Sequence, residues 1–311
     1  MSFKRRGLSY TIELNQGGLA DSSDQATFDN GADKLTITGI RSVASIQSVI
    51  GGNTPAGSQA LLQLWGMKPS DMAQLSTLGF NPEKWNKNKI TVFAYDLDNE
   101  NSKVQVFSGG IFVARINYNA MPDVSLELEC HATISEQMQA IDGTSVQGSG
   151  DVATMLQGIC AACNPPLTFV NHGVSASLAN PAYAGSAFDQ ITGICCDAAV
   201  PHTLEGGTLT TWPIGTNVDG VVIETSPDNG MVGYPEYTRM GIDVTMEFNP
   251  EVQRGRQLQI LPVNSRNPLP IPGVPGTYWI NIVEHELSSE MPDGPWFTRA
   301  SVSKTQINAR N

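Results

Sequence analysis

Two cysteine pairs in this 311-residue chain are spaced like part of a metal or redox site: Cys160-Ala-Ala-Cys163 and the adjacent Cys195-Cys196. Zinc or an iron–sulfur cluster needs four thiolate or imidazole ligands converging on one point, and C-x-x-C brings two of them together within one turn. The second pair departs from that pattern, because adjacent residues on a helix diverge by about 100°. Both pairs lie in segments with helical spacing, where a cysteine also serves as a small buried apolar residue. The expectation is therefore core packing. Cys160, Cys163, Cys195 and Cys196 stand as the metal-site candidates, and no cofactor is otherwise implied. The fifth cysteine, Cys130, leaves an odd count that does not read as a disulfide framework.

The four histidines, His131, His172, His202 and His285, show no HxxxH or HExxH spacing, which excludes a metalloprotease helix. In Val283-Glu284-His285-Glu286-Leu287 a histidine stands between two carboxylates. On a strand those carboxylates fall on the opposite face and do not orient its ring, so a structural histidine is expected. There is no G-x-S-x-G elbow, no phosphate-binding G-x-x-x-x-G-K-[ST] loop and no G-x-G-x-x-G after a strand. A carboxylate pair for glycoside cleavage forms in space rather than in sequence. Acidic residues such as Glu127 and Glu129 instead fall in alternating strands, the pattern of a solvated sheet face.

The elements that would hold these residues are mostly strands. Charged residues are only 15% of the chain, against 30 glycines and 19 prolines, the balance of a protein built from short strands and turns. Alternation predicts strands at Leu8–Leu14, Lys34–Ile40, Leu61–Trp65, Lys89–Tyr95, Val104–Phe107, Gly110–Asn117 and Asp123–Cys130. Breaks are expected at Gln16-Gly17-Gly18, at Asp29-Asn30-Gly31 and over Gly51–Gly57. Pro69–Leu75 reads as a short helix with Ser70 as its cap. Helical spacing then marks Asp151–Cys160 and Ser186–Ala198, with strands at Leu167–Val170 and Thr208–Trp212. Strands return at Gly241–Phe248, Gln257–Ile260, Tyr278–Glu286 and Phe297–Ser303, with an extended proline-rich loop over Pro262–Gly276. The fold expected is mainly β, a β-rich α+β chain. Residues 1–134 and 216–311 form two barrel-like β domains, and 135–215 a small α+β module between them.

The net charge of −12 disfavours nucleic-acid binding, whose affinity comes from Lys and Arg. No run of 18 apolar residues suggests a membrane span. The basic Lys4-Arg5-Arg6 is not followed by an apolar run, so no signal peptide is expected and the cytoplasm is the expected site of synthesis.

Several segments together resemble the baseplate hub proteins of tailed bacteriophages. In the first half these are Leu35-Thr-Ile-Thr-Gly-Ile-Arg41, Leu64-Trp-Gly-Met67, Met72-Ala-Gln-Leu-Ser76, Asn88-Lys-Ile-Thr-Val-Phe-Ala94 and Pro122-Asp-Val124. In the second half they are Gly230-Met-Val-Gly-Tyr-Pro235, Gly241-Ile-Asp-Val244, Phe248-Asn-Pro250, Gly276-Thr-Tyr-Trp279, His285-Glu-Leu287 and Gly294-Pro-Trp296. The resemblance implies a non-enzymatic part of a virion tail baseplate, assembled in the host cytoplasm. It implies a homotrimer whose two tube-like domains per chain make a pseudo-sixfold collar. That collar joins the tail-tube protein to the central spike among other baseplate proteins, and DNA passes its channel without specific binding. A tube or spike-adaptor subunit of a related contractile injection system shares these features. A cell-wall hydrolase with an unrecognised carboxylate pair is the alternative of another class.

Overall fold

The computed structural model describes residues 6–14, 27–49, 57–78, 88–119, 121–239, 241–262 and 274–306. Lys4 and Arg5, the break at Gln16-Gly17-Gly18 and most of the loops over Gly51–Gly57 and Pro262–Gly276 lie outside them. The chain forms two compact units. One comprises Met1–Ile46, Ser58–Met138 and Glu286–Pro295; the other comprises Gln47–Gly57, Gln139–His285 and Trp296–Asn311.

The first unit contains β1 (Arg6–Glu13), β2 (Lys34–Thr38), most of β3 (Ser42–Val49) and of β4 (Gly57–Trp65), α1 (Pro69–Leu78), β5 (Lys89–Asp96), β6 (Asn99–Asn117), β7 (Ser125–His131) and α2 (Ile134–Met138). Its strands run in the order β3-β4-β7-β6-β5-β1-β2, with β2 at the edge. Alternation is why: Ala60, Leu62 and Leu64 of β4, and Leu126, Leu128 and Cys130 of β7, are buried, while the residues between them face outward. Two strands expected at Val104–Phe107 and Gly110–Asn117 are one 19-residue strand, β6. Register shifts at Val92/Phe93 and Ile111/Val113 absorb the irregularity between them. Gly109 permits the join, since a Cβ there would lie 2.6 Å from the His131 carbonyl oxygen.

Helix α1 starts one residue earlier than its expected cap. Pro69 takes the first helical position, where its missing N–H costs nothing. Ser70 lies inside the first turn, and its hydroxyl donates to the Asp29 carboxylate. The Asp29 amide in turn donates to Asp71 Oδ1 at 3.1 Å, so the helix start is tied down by a residue far away in sequence.

The second unit holds the α+β module. It contains β8 (Thr144–Ser145), β9 (Ser149–Asp151), α3 (Val152–Ala162), β10 (Thr168–Asn171), β11 (Ser177–Ala179), β12 (Ala182–Tyr183), α4 (Ala187–Asp197), β13 (His202–Glu205) and β14 (Thr208–Thr211). Both expected helices are present. Asp151 caps α3, its carboxylate accepting from the Thr154 amide at 2.8 Å. Ser186 and Asp189 form a reciprocal capping box on α4. Their apolar faces share one core with Leu204 of β13 and Leu209 of β14.

The same unit continues with β15 (Val222–Thr225), β16 (Glu236–Thr238), β17 (Gly241–Glu247), β18 (Gln257–Ile260), most of β19 (Gly276–Ser289) and β20 (Trp296–Ser303). The order is β16-β17-β20-β19, extended by β18 and then by β15, which pairs parallel to β18. A second core gathers Ile223, Ile242, Val244, Leu258, Ile280 and Val302 from these strands. The molecule is thus mainly β and largely antiparallel, with a few short helices. Among the described residues no ladder closes on itself: β2, β15 and β16 remain edges, so the sheets stop short of the barrels expected from the sequence.

Candidate functional site

The outward face of β3, β4, β7 and β6 forms a shallow groove of ≈ 340 Å³. Strand register builds it in rows. Leu61 of β4, Glu129 of β7 and Val113 of β6 stand side by side; the next row is Gln63, Glu127 and Arg115. Leu61 is 59% exposed although it sits in the middle of a strand paired on β7 and β3. Its neighbours in the row are a carboxylate and a valine, so this face is neither a core nor an ordinary solvated surface.

Hydrogen bonds hold the polar groups of this face. Asn117 Nδ2 donates to Glu127 Oε1 at 2.7 Å, and Gln63 Nε2 donates to Ser125 Oγ at 3.0 Å. His131 Nε2 lies 3.3 Å from Glu129 Oε1, and its ring meets Phe112 edge-on at 5.1 Å. At one end Arg41 stacks over Trp65, 4.4 Å from the ring centre, and pairs with Asp123 at 3.2 Å. The groove therefore presents fixed carboxylates beside apolar side chains, which suits contact or exclusion.

The candidate cysteines lie elsewhere, in the module. Cys160 and Cys195 are buried in its core, and Cys163 ends α3 with its thiol donating to the Ile159 carbonyl at 3.2 Å. Burial first, then the neighbouring Cys196 and Cys160, pushes the Cys195 thiol far above its usual range. Cys196 is only half-buried. Among the described residues no three potential ligands gather in one place.

The histidines are likewise placed in different surroundings. His172 is exposed, and His131 is on the groove. His202 is buried on β13; burial, with the Arg254 charge adding to it, pushes its pKa down to about 4. His285 is buried on β19, while Glu284 and Glu286 occupy the other face, as alternation predicts. Among the described residues no helix is long and apolar enough to cross a membrane.

One electrostatic feature is absent from the periodicity reading. Residues 116–238 carry thirteen Asp and Glu and not one Lys or Arg, so the whole net charge resides there. Glu127 and Glu129 belong to that stretch. A running count of charge, rather than of hydropathy, finds it.

Comparison with known proteins follows the same lines. No curated relative matches the sequence. Three solved structures share the fold at low identity. The tail protein from Neisseria meningitidis MC58 is 11% identical, with a TM-score of 0.57 over 95% of this chain and 96% of that one. The 43 kDa tail protein of prophage MuSo2 from Shewanella oneidensis is 10% identical, with a TM-score of 0.54 over 97% of both chains. The E. coli c3393 protein is a component of the type VI secretion system with structural similarity to T4 bacteriophage tail proteins gp27 and gp5. It is 10% identical, with a TM-score of 0.54 over 86% of this chain and 75% of that one. A family model described as baseplate hub gp41 matches residues 72–302, and this chain belongs to that family of structural phage tail proteins.

Proposed function

We propose that three copies of this chain form the hub ring of a phage tail baseplate, joining a sixfold tail tube to a threefold central spike around the DNA channel. The family match over residues 72–302 carries this reading. In it, residues 1–134 and 216–311 supply two tube-like β domains per chain, so that three chains present six. Residues 135–215 are an insertion with a core of their own. The role is structural rather than enzymatic, and the particle is assembled in the host cytoplasm.

The groove face with Glu127 and Glu129 is assigned to the channel wall. Carboxylates on a wall repel phosphate, so DNA passes without being held. The segregation of net charge into 116–238 supports this assignment, since no Lys or Arg in that stretch offsets its thirteen acids. The test is duplex binding at low salt. The wild-type protein is expected to leave the duplex free, whereas Glu127→Lys with Glu129→Lys binds it with a steep dependence on salt. Tight binding by the wild type, or an inert double variant, would remove this face from the channel.

A further inference from the structure

The tripeptide Asp-Asn-Gly occurs twice in the chain, at Asp29-Asn30-Gly31 and at Asp228-Asn229-Gly230. An asparagine before glycine is chemically vulnerable, because glycine has no Cβ to shield its amide nitrogen from the preceding side chain. The two copies share more than sequence. Both asparagines are exposed, and both glycines have a left-handed backbone, with φ of +75° at Gly31 and +77° at Gly230. What differs is the bonding of the two groups that react, the glycine amide and the asparagine side chain.

At the first copy both groups are engaged. The Gly31 amide donates to the Phe28 carbonyl at 2.8 Å. Asn30 Oδ1 accepts from the Ala32 amide at 2.9 Å, and Nδ2 donates to the Lys34 carbonyl at 3.4 Å. Asp29 is anchored on α1, its amide on Asp71 and its carboxylate on Ser70. At the second copy other atoms hold the turn. The Asn229 and Met231 amides both donate to the Ser226 carbonyl, at 2.9 and 3.1 Å, and the Gly230 carbonyl accepts from the Glu247 amide at 2.7 Å. Among the described residues no hydrogen bond engages the Gly230 amide or the Asn229 side chain.

We propose that Asn229 is a site of spontaneous modification, converting to aspartate and isoaspartate through a cyclic imide, and that the fold protects Asn30 from the same reaction. The Gly230 nitrogen attacks Asn229 Cγ and gives up its proton to solvent. The new N–Cγ bond forms as the Cγ–Nδ2 bond breaks, and Nδ2 leaves as ammonia with a proton taken from solvent. Water then opens the imide. Attack at Cγ gives aspartate; attack at the main-chain carbonyl carbon of Asn229 gives isoaspartate. One water enters for each ammonia lost.

Either product adds a carboxylate to the stretch 116–238, which has no Lys or Arg to offset it. Isoaspartate also lengthens the main chain by one carbon between the Asn229 and Met231 amides, which share one acceptor in this turn. The reaction at Asn30 must first release the Gly31 amide and Asn30 Oδ1. Each net hydrogen bond that must open lowers the reactive population about fivefold, so two give roughly a thirtyfold slower reaction at Asn30.

The test is incubation of the intact wild-type protein in mildly alkaline buffer, with peptides followed over time by tandem mass spectrometry and the aspartate and isoaspartate forms separated by chromatography. Asn229 is expected to convert roughly thirtyfold faster than Asn30 and to yield both products. In urea the two sites should convert at similar rates, because the tripeptide is the same and the protecting bonds are gone. Equal conversion at the two sites in the folded protein, faster conversion at Asn30, or an unchanged Asn229 over a period in which the unfolded chain converts would overturn the proposal. Aspartate without isoaspartate at Asn229 would overturn the imide route.

Discussion

Replacing Ile191 by Ala probes whether the module carries its own stability. Ile191 is fully buried on α4 and packs in a core drawn entirely from residues between Ile141 and Leu209. The substitution deletes three carbon atoms. At about 0.8 kcal/mol for each buried methylene the transfer loss is ~2.4 kcal/mol. A residual cavity of roughly 50 Å³ adds about 1 kcal/mol. The sum, about 3.5 kcal/mol, corresponds to roughly a 300-fold loss of exchange protection.

Hydrogen exchange read by mass spectrometry resolves where that loss falls. Peptides from α3 and α4 are expected to lose protection by that factor, while peptides from β1, β5 and β7 keep theirs. Equal loss in both sets would refute the reasoning, because it would mean that the module core and the first sheet open as one body. A loss under tenfold in α3 and α4 would refute the packing argument itself.

Three further substitutions or treatments have defined outcomes. Gly255→Ala is expected to cost about 2–3 kcal/mol in urea unfolding, since its φ is +89° and the new Cβ would lie 2.7 Å from Cζ2 of the buried Trp212. Asp29→Ala removes the carboxylate that receives Ser70 at the start of α1, and about 1 kcal/mol of stability should go with it in the same assay. Under a thiol reagent at neutral pH, Cys196 should react first, and buried Cys130 and Cys195 only after denaturant is added, because burial raises the pKa of both.

Periodicity located most of the strands and both module helices because each alternates or repeats strongly enough to be read alone. Strand β7 is an example, with Leu126, Leu128 and Cys130 buried between half-buried glutamates. Strand β3 escaped notice: Ser42-Val-Ala-Ser-Ile-Gln-Ser-Val49 mixes small and polar residues on both faces, so its period is faint. The three- and four-residue strands β9, β11, β13, β15 and β16 are too short to show a period, and tertiary pairing alone makes them strands. Ser70 was read as a cap from its position, whereas the real determinant is Asp29, 41 residues away. The groove was hidden for a related reason. Leu61, Glu129 and Val113 meet only through register, which no local pattern encodes. The stretch 116–238 without Lys or Arg stands in the sequence itself, and following hydropathy rather than charge passed over it.

The central claim is the threefold ring, and the most direct measurement is the solution mass of the purified protein by light scattering, with averaged negative-stain images of the same sample. The account predicts three times the 33.3 kDa chain mass and ring images with threefold symmetry and a central hole. A monomer at every concentration, or a closed dimer without a hole, would contradict it.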